Sequence, residues 1–118
     1  MSTVKITKDF SQGDSFNIKI SHNPIKNITG GSLIFVMKKR ESDTTPVLKV
    51  TYAVGTNVLD VPTSGTAFIP VTVADTASIP VGKYFGSIKR VIGSDVFTII
   101  RSDRDNVDLI EVLPNLDA

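Results

Sequence analysis

The side chains able to do chemistry are few, and their spacing limits what they could do. His22 is the only histidine and precedes Asn23-Pro24. As a general base it would need an orienting acid and a nucleophile, and spacing identifies neither, so it reads as an ordinary surface or turn residue in a loop. With Cys 0, disulfides, thiolate zinc sites and cysteine nucleophiles are excluded. The acids Asp103, Asp105, Asp108 and Glu111 invite a calcium reading, because alternating oxygen ligands suit a hard cation. The EF-hand order fails, however. Val107 stands where the third ligand is wanted, Asp108 where the loop's glycine is needed, and Pro114 where a glutamate should close the site. Arg101 and Arg104 would oppose a cation, so the segment reads as a solvated turn. The GDS of residues 13–15 and the SGT of residues 64–66 are turns that resemble neither a nucleophile elbow nor a phosphate loop. The expectation is a protein that is not an enzyme and holds no cofactor or metal.

The densest basic run is Lys38, Lys39 and Arg40. A charge run at the end of a strand commonly keeps the edge from pairing with another chain, and its functional alternative is a contact patch for an acidic partner. If the strand of Lys38 lies antiparallel to that of Tyr84, Lys83 joins this patch, while Lys89 and Arg90 lie at the far end. Two small patches do not make a nucleic-acid groove, and aromatics do not interleave with the basic residues as a stacking platform requires. The balance of Lys+Arg 13 against Asp+Glu 12 adds no general attraction to nucleic acid or anionic lipid. Sugar binding normally wants exposed aromatic platforms. Here Trp is 0 and most of the 6 Phe and 2 Tyr fall on expected core faces, which counts against a lectin.

The elements that must carry these groups are strands. Val 14 plus Ile 13 makes 27, against Ala 5 plus Leu 6, which makes 11. Branching at Cβ suits a pleated, half-buried surface better than a helix. A short run at residues 4–6 opens the chain, and Gly13 in SQGD supplies a turn. Residues 15–21 then alternate, with Phe16, Ile18 and Ile20 inward. Residues 22–31 form a connection anchored by Ile25 and Ile28. Residues 32–39 read as a central strand, with Leu33, Phe35 and Met37 on one face and Ile34 and Val36 on the other. Residues 47–54 alternate on Leu48, Val50 and Tyr52. Residues 67–73 contain Pro70, which lacks a donor and therefore predicts an edge strand or a bulge. Residues 74–80 allow one helical turn capped by Asp75 and stopped by Pro80. After Gly82, Tyr84, Gly86 and Ile88 share a face. Gly93 turns a hairpin into VFTII, and residues 107–113 end the pattern.

About eight strands with turns between them predict an all-β fold, a single Ig-like antiparallel β-sandwich over residues 1–118 with at most one short helical turn. A chain of 12.7 kDa buries about two thirds of its unfolded surface, enough for one core without staples. No run approaches the ~20 apolar residues of a spanning helix, and the opening residues lack a signal-peptide core. No membrane association is expected.

Four segments in order carry a resemblance: DFSQGDSFNIKI at residues 9–20, NITGGSLIFVMKK at 27–39, VADTASIPVGKYFGSIKR at 73–90 and DLIEVLPN at 108–115. They resemble the small Ig-like β-sandwich domain of tailed-phage and prophage structural proteins, similar to the N-terminal domain of baseplate upper proteins. In that family a QGD turn opens the first core strand, an LTG turn precedes a central strand ending in Lys, and a PxGxY step enters a late strand. The matching positions here are Gly13, Gly30, Pro80, Gly82 and Tyr84, and the resemblance transfers no catalytic residue. Family members continue into a long C-terminal region that reaches a receptor-binding protein. This sequence shows no such region, so neck, head and tail positions stay open. The resemblance implies a non-enzymatic virion protein, assembled in the bacterial host cytoplasm. It would dock onto itself in a ring or multimer and onto other virion proteins, with no specific nucleic acid as partner. The rival readings are a carbohydrate-binding or adhesin-like module on the host surface and, more distantly, an enzyme.

Overall fold

Alternation of β-branched and polar residues decides which faces meet, and the computed structural model, which describes residues 2–5, 9–22, 26–40, 42–101 and 110–114, pairs them as two sheets. The strands are β1 (Ser2–Lys5), β2 (Asp9–Ser11), β3 (Phe16–His22), β4 (Ser32–Lys38), β5 (Leu48–Ala53), β6 (Ala67–Val71), β7 (Gly82–Ile92), β8 (Asp95–Arg101) and β9 (Ile110–Leu113). One sheet has the order β1-β3-β6. The other runs β2-β9-β7-β4-β5, with β8 also paired to β7. Ser87 to Ile92 of β7 pair with β8, and Gly82 to Tyr84 pair with β9, so β8 and β9 continue one edge. The helical content among the described residues is a five-residue helix, α1 (Val73–Ala77), and a 3₁₀ turn at Pro62–Ser64. This second turn goes beyond the single turn expected, because Pro62 presets the backbone at its first position.

The core forms where the inward faces press together. Ile18 and Ile20 of β3 and Ala67, Ile69 and Val71 of β6 share one cluster with Leu33, Phe35 and Met37 of β4 and Tyr84 and Ile88 of β7. Ile34 and Val36, on the opposite face of β4, are half-buried, as a central strand covered in part on both sides requires. Gly86 lets Ile110 reach this core: a Cβ there would lie 2.6 Å from Ile110 Cδ1.

Two features make the sandwich Ig-like. The chain passes from β1 in one sheet to β2 in the other, where β2 runs parallel to β9, the single parallel pair among the described strands. At the corner before β7, the Tyr84 hydroxyl donates to Pro80 O at 2.5 Å, the tyrosine corner that ties the start of such a strand to its approach loop. The approach is also fixed at α1. Thr72 Oγ1 accepts from Asp75 N at 3.2 Å while Asp75 Oδ2 accepts from Thr72 N at 2.9 Å, a reciprocal capping box. The helix therefore starts one residue earlier than expected and its N-cap is Thr72, not Asp75, which sits at the third helical position and returns a hydrogen bond to the Thr72 amide.

His22 corrects the expectation of a loop residue. β3 continues the alternation of Ile18 and Ile20 one step further, which puts His22 on the inward face at 6% exposure. Its Nδ1 donates to Gly65 O at 2.7 Å, and its Nε2 is buried without a partner among the described residues. Of the two anchors expected in the following connection, Ile28 is fully buried and Ile25 lies outside the described residues. Asp103, Asp105 and Asp108 also lie outside them, whereas Glu111 sits in β9. No helix among the described residues is long and apolar enough to cross a membrane.

Candidate functional site

The basic corner is assembled by strand register. Lys38 at the end of β4 faces Phe85 across the ladder, which brings Lys83 to the same end, while Lys89 and Arg90 pair with Ile34 and Leu33 at the other. Lys39 Nζ lies 5.0 Å from the centre of the Tyr84 ring and donates to Lys83 O at 3.4 Å. The ammonium therefore covers the ring of the tyrosine corner as well as facing solvent. Lys39, Arg40 and Lys83 are exposed and Lys38 half-buried, and none has an ion-pair partner among the described residues. Arg40 N donates to Asp43 Oδ2 at 3.1 Å, fixing the turn that follows. At the far end Arg90 is not a patch residue. It is 7% exposed, its guanidinium lies 4.8 Å from the centre of the Phe97 ring, and Nη2 reaches Asp95 Oδ2 only at 3.9 Å.

A second surface lies on the loop between β5 and β6. Asp60 accepts three hydrogen bonds there. Oδ1 takes the Phe68 N–H at 2.8 Å, and Oδ2 takes the Gly55 N–H at 2.9 Å together with the Tyr52 hydroxyl. Tyr52 in turn accepts from Asn57 N at 2.6 Å, and Asn57 Oδ1 accepts from Leu59 N at 3.0 Å. Burial and the Asp60 hydrogen bond push the Tyr52 phenol up to about 12, so it stays protonated and keeps donating. At the top of this network Val58 is 97% exposed, with Leu59 and Val61 more than half or half exposed beside it. The tip is apolar, and it is held rigid from below.

The same network closes an edge. Alternate residues of an outer strand point their N–H and C=O groups away from the sheet. On β6 Phe68 gives its N–H to Asp60, its carbonyl meets Asn57 Nδ2 at 3.5 Å, and Pro70, two residues on, has no N–H to give. The edge expected from Pro70 is thus real and blunted twice over.

Between Ser15–Asn17 and residues 70–74, at the far end of β6, lies an open cleft of 560 Å³ lined by Phe16, Asn17, Pro70, Val71, Val73 and their neighbours. Among the described residues no group of three or more His, Cys, Asp or Glu could hold a metal ion. Sequence reasoning located the basic corner and overlooked the Val58–Asp60 tip. The available signal was an apolar pair between a glycine turn and Pro62, with Asn57 and Asp60 on either side.

No protein-family model matches the chain, and no curated protein does. Solved structures do. A single-site variant of the superoxide reductase (neelaredoxin) from Ignicoccus hospitalis is similar with a TM-score of 0.51 and 8% identity, covering 94% of this chain and 78% of its own. The superoxide reductase from the same organism without that substitution gives 0.46 and 9%, covering 94% and 79%. At such identity the likeness is one of fold. The first of these corrects one expectation all the same: the sequence pointed to a protein that is not an enzyme, whereas that solved structure, similar in fold at a TM-score of 0.51, is of an enzyme, so this architecture does not set enzymes aside.

Proposed function

We propose that the chain is a structural component of a tailed-phage virion that works by docking onto neighbouring copies and other virion proteins. The observation that carries this reading is the loop between β5 and β6. A carboxylate with three donors, one of them the Tyr52 phenol, holds Val58 and Leu59 out in solvent, an exposed apolar pair at a site suited to contact. A rigid apolar anchor loses little conformational freedom on binding, which is what a repeated modest interface needs. Three further features support it. The resemblance positions are structural ones: Gly13 (φ 87°) turns into β3, Gly30 (φ 78°) precedes β4, and Pro80 to Tyr84 build the corner into β7. A net charge of +1 brings little self-repulsion to a symmetric assembly. The exposed lysines of the basic corner give acidic neighbours a second contact.

Mass spectrometry of gradient-purified particles, with electron microscopy of particles carrying a tagged copy, tests the reading. Stoichiometric recovery with the tag at a fixed place on the particle is expected. A chain abundant in infected cells and missing from purified particles would refute it.

A further inference from the structure

A sheet with one face in water alternates apolar and polar residues along each strand, so its outward positions tell a wet face from a covered one. On the β1-β3-β6 sheet the outward face is wet. β3 turns out Asn17, Lys19 and Ser21, β6 turns out Phe68 and Pro70, and Lys19 lies over the Phe68 ring at 5.8 Å. The other sheet breaks that pattern at its centre. β4 turns out Ile34 and Val36 between Ser32 and Lys38, and register extends the apolar surface to Phe85 and Val91 on β7 and to Val96 on β8, which is 60% exposed. Strands apolar on both faces belong to sheets covered on both. Ile34, Val36, Phe85 and Val91 are only half-buried, so the chain does not complete that cover itself.

The charges set among these residues have one sign. In register Ile34 stands opposite Lys89, Val36 opposite Lys49, and Phe85 opposite Lys38. With neighbouring strands about 4.8 Å apart and residues two apart on a strand about 6.8 Å apart, the three lysines stand roughly 8 to 14 Å from one another around the aliphatic centre. None has an ion-pair partner among the described residues, and β4, β5 and β7 turn out no Asp or Glu. Acids among the described residues join this face at its far flank, where Glu111 on β9 stands opposite Lys83, and Asp9 on β2 opposite Glu111. Lys83 is therefore offset by a carboxylate, and Lys38, Lys49 and Lys89 are not.

The sign of the charge selects the partner. A second copy presenting the same face would set lysines against lysines. A nucleic acid would gain phosphate contacts, but Ile34 and Val36 give its bases no aromatic plane on which to stack. A protein surface with an apolar centre and a carboxylate rim satisfies both the aliphatic centre and the lysines. We infer that the outward face of β5, β4 and β7 docks an acidic protein, which seats an apolar patch on Ile34, Val36, Phe85 and Val91 and sets carboxylates against Lys38, Lys49 and Lys89. This deepens the virion reading and rests on it for the kind of partner, another virion protein.

Carbodiimide cross-linking tests the inference, because the reagent joins an ammonium to a carboxylate in direct contact. It is applied to cells producing the chain and, separately, to purified particles, and the linked peptides are read by mass spectrometry. Lys38, Lys49 and Lys89 are expected to carry links to Asp and Glu of one other protein, and Lys19 on the wet sheet to carry none. The variant Lys49→Glu/Lys89→Glu, changed at exposed positions and checked for the native β spectrum, should retain at least about tenfold less of that protein on a tagged copy. Lys19→Glu should retain as much as wild type. The inference is overturned by links that fall on Lys19 or Lys26 in place of the face, or by face lysines that stay unlinked or are joined to another copy of this chain. It is equally overturned by a partner that nuclease treatment releases, or by a Lys49→Glu/Lys89→Glu variant that keeps its partner. Face lysines linked in cells while the chain is missing from particles refute the virion reading alone, and a chain present in particles with this face unlinked refutes the docking face alone.

Discussion

Replacing Asp60 by Asn tests the physical account of the apolar tip, because it changes charge and one atom while keeping shape. The carboxylate takes Phe68 N–H on Oδ1, and Gly55 N–H with the Tyr52 hydroxyl on Oδ2. An asparagine has one carbonyl oxygen and one NH₂ group. In its better orientation the carbonyl stays with Gly55 and Tyr52, and the NH₂ opposes the Phe68 N–H. One charge-assisted hydrogen bond is then lost, about 1.5–3 kcal/mol, and the other two weaken as the charge disappears. The sum is about 3 kcal/mol. With an unfolding entropy near 2.1 cal/mol/K per residue, the 118-residue chain loses about 12 °C in Tm. Denaturant titration gives the free energy, and amide exchange should show protection lost over residues 54–61 and at Phe68 before it is lost in β4 and β7. A change below about 0.5 kcal/mol with unaltered exchange in the loop would mean that the carboxylate does not hold the tip, and the case for a rigid anchor would go with it.

Other consequences follow from the same structure. Tyr84→Phe removes the donor to Pro80 O and should cost about 1–2 kcal/mol in a urea titration, with α1 and the start of β7 exchanging faster. Alkaline unfolding should be steep. The Tyr52 phenol rises from 10.0 to about 12 and burial also raises that of Tyr84, so their contribution is whole below pH 10 and drains away as pH climbs toward 12. For Tyr52 this is about 3 kcal/mol, and Tyr52→Phe should flatten the profile in that window. Gly65→Ala should be far more damaging than Gly55→Ala. Both have positive φ, but a Cβ at Gly65 would lie 2.7 Å from Lys26 O and 2.8 Å from His22 Cβ, whereas Gly55 faces open space. The expected losses are above about 3 kcal/mol and about 1 kcal/mol, read as the difference between the two midpoints.

What the sequence by itself determined was local. Alternation put Ile18 and Ile20 inward, and Leu33, Phe35 and Met37 on one face of a central strand. The missing donor of Pro70 pointed to an edge strand or a bulge, and the glycines at 13 and 93 marked turns into β3 and β8. Each follows from the period of a pleated strand or the conformational range of one residue, so neighbouring letters suffice. Even the meeting of Lys38 with Lys83 needed only the assumption that two strands run antiparallel.

Tertiary structure decided the rest. His22 looked like a turn residue because Pro24 follows so closely, and only the strand's extra step beside Gly65 buried it. Arg90 looked like surface charge until Phe97 covered it from the neighbouring strand. Asp60 was one acid in a loop until folding aimed the Phe68 and Gly55 amides and the Tyr52 hydroxyl at it, and the cleft exists because residues 15–17 and 70–74 are brought side by side. Periodicity fixes which way a side chain points within its own strand. What stands opposite it depends on register between segments distant in the chain, and that is settled by the joint packing of both sheets.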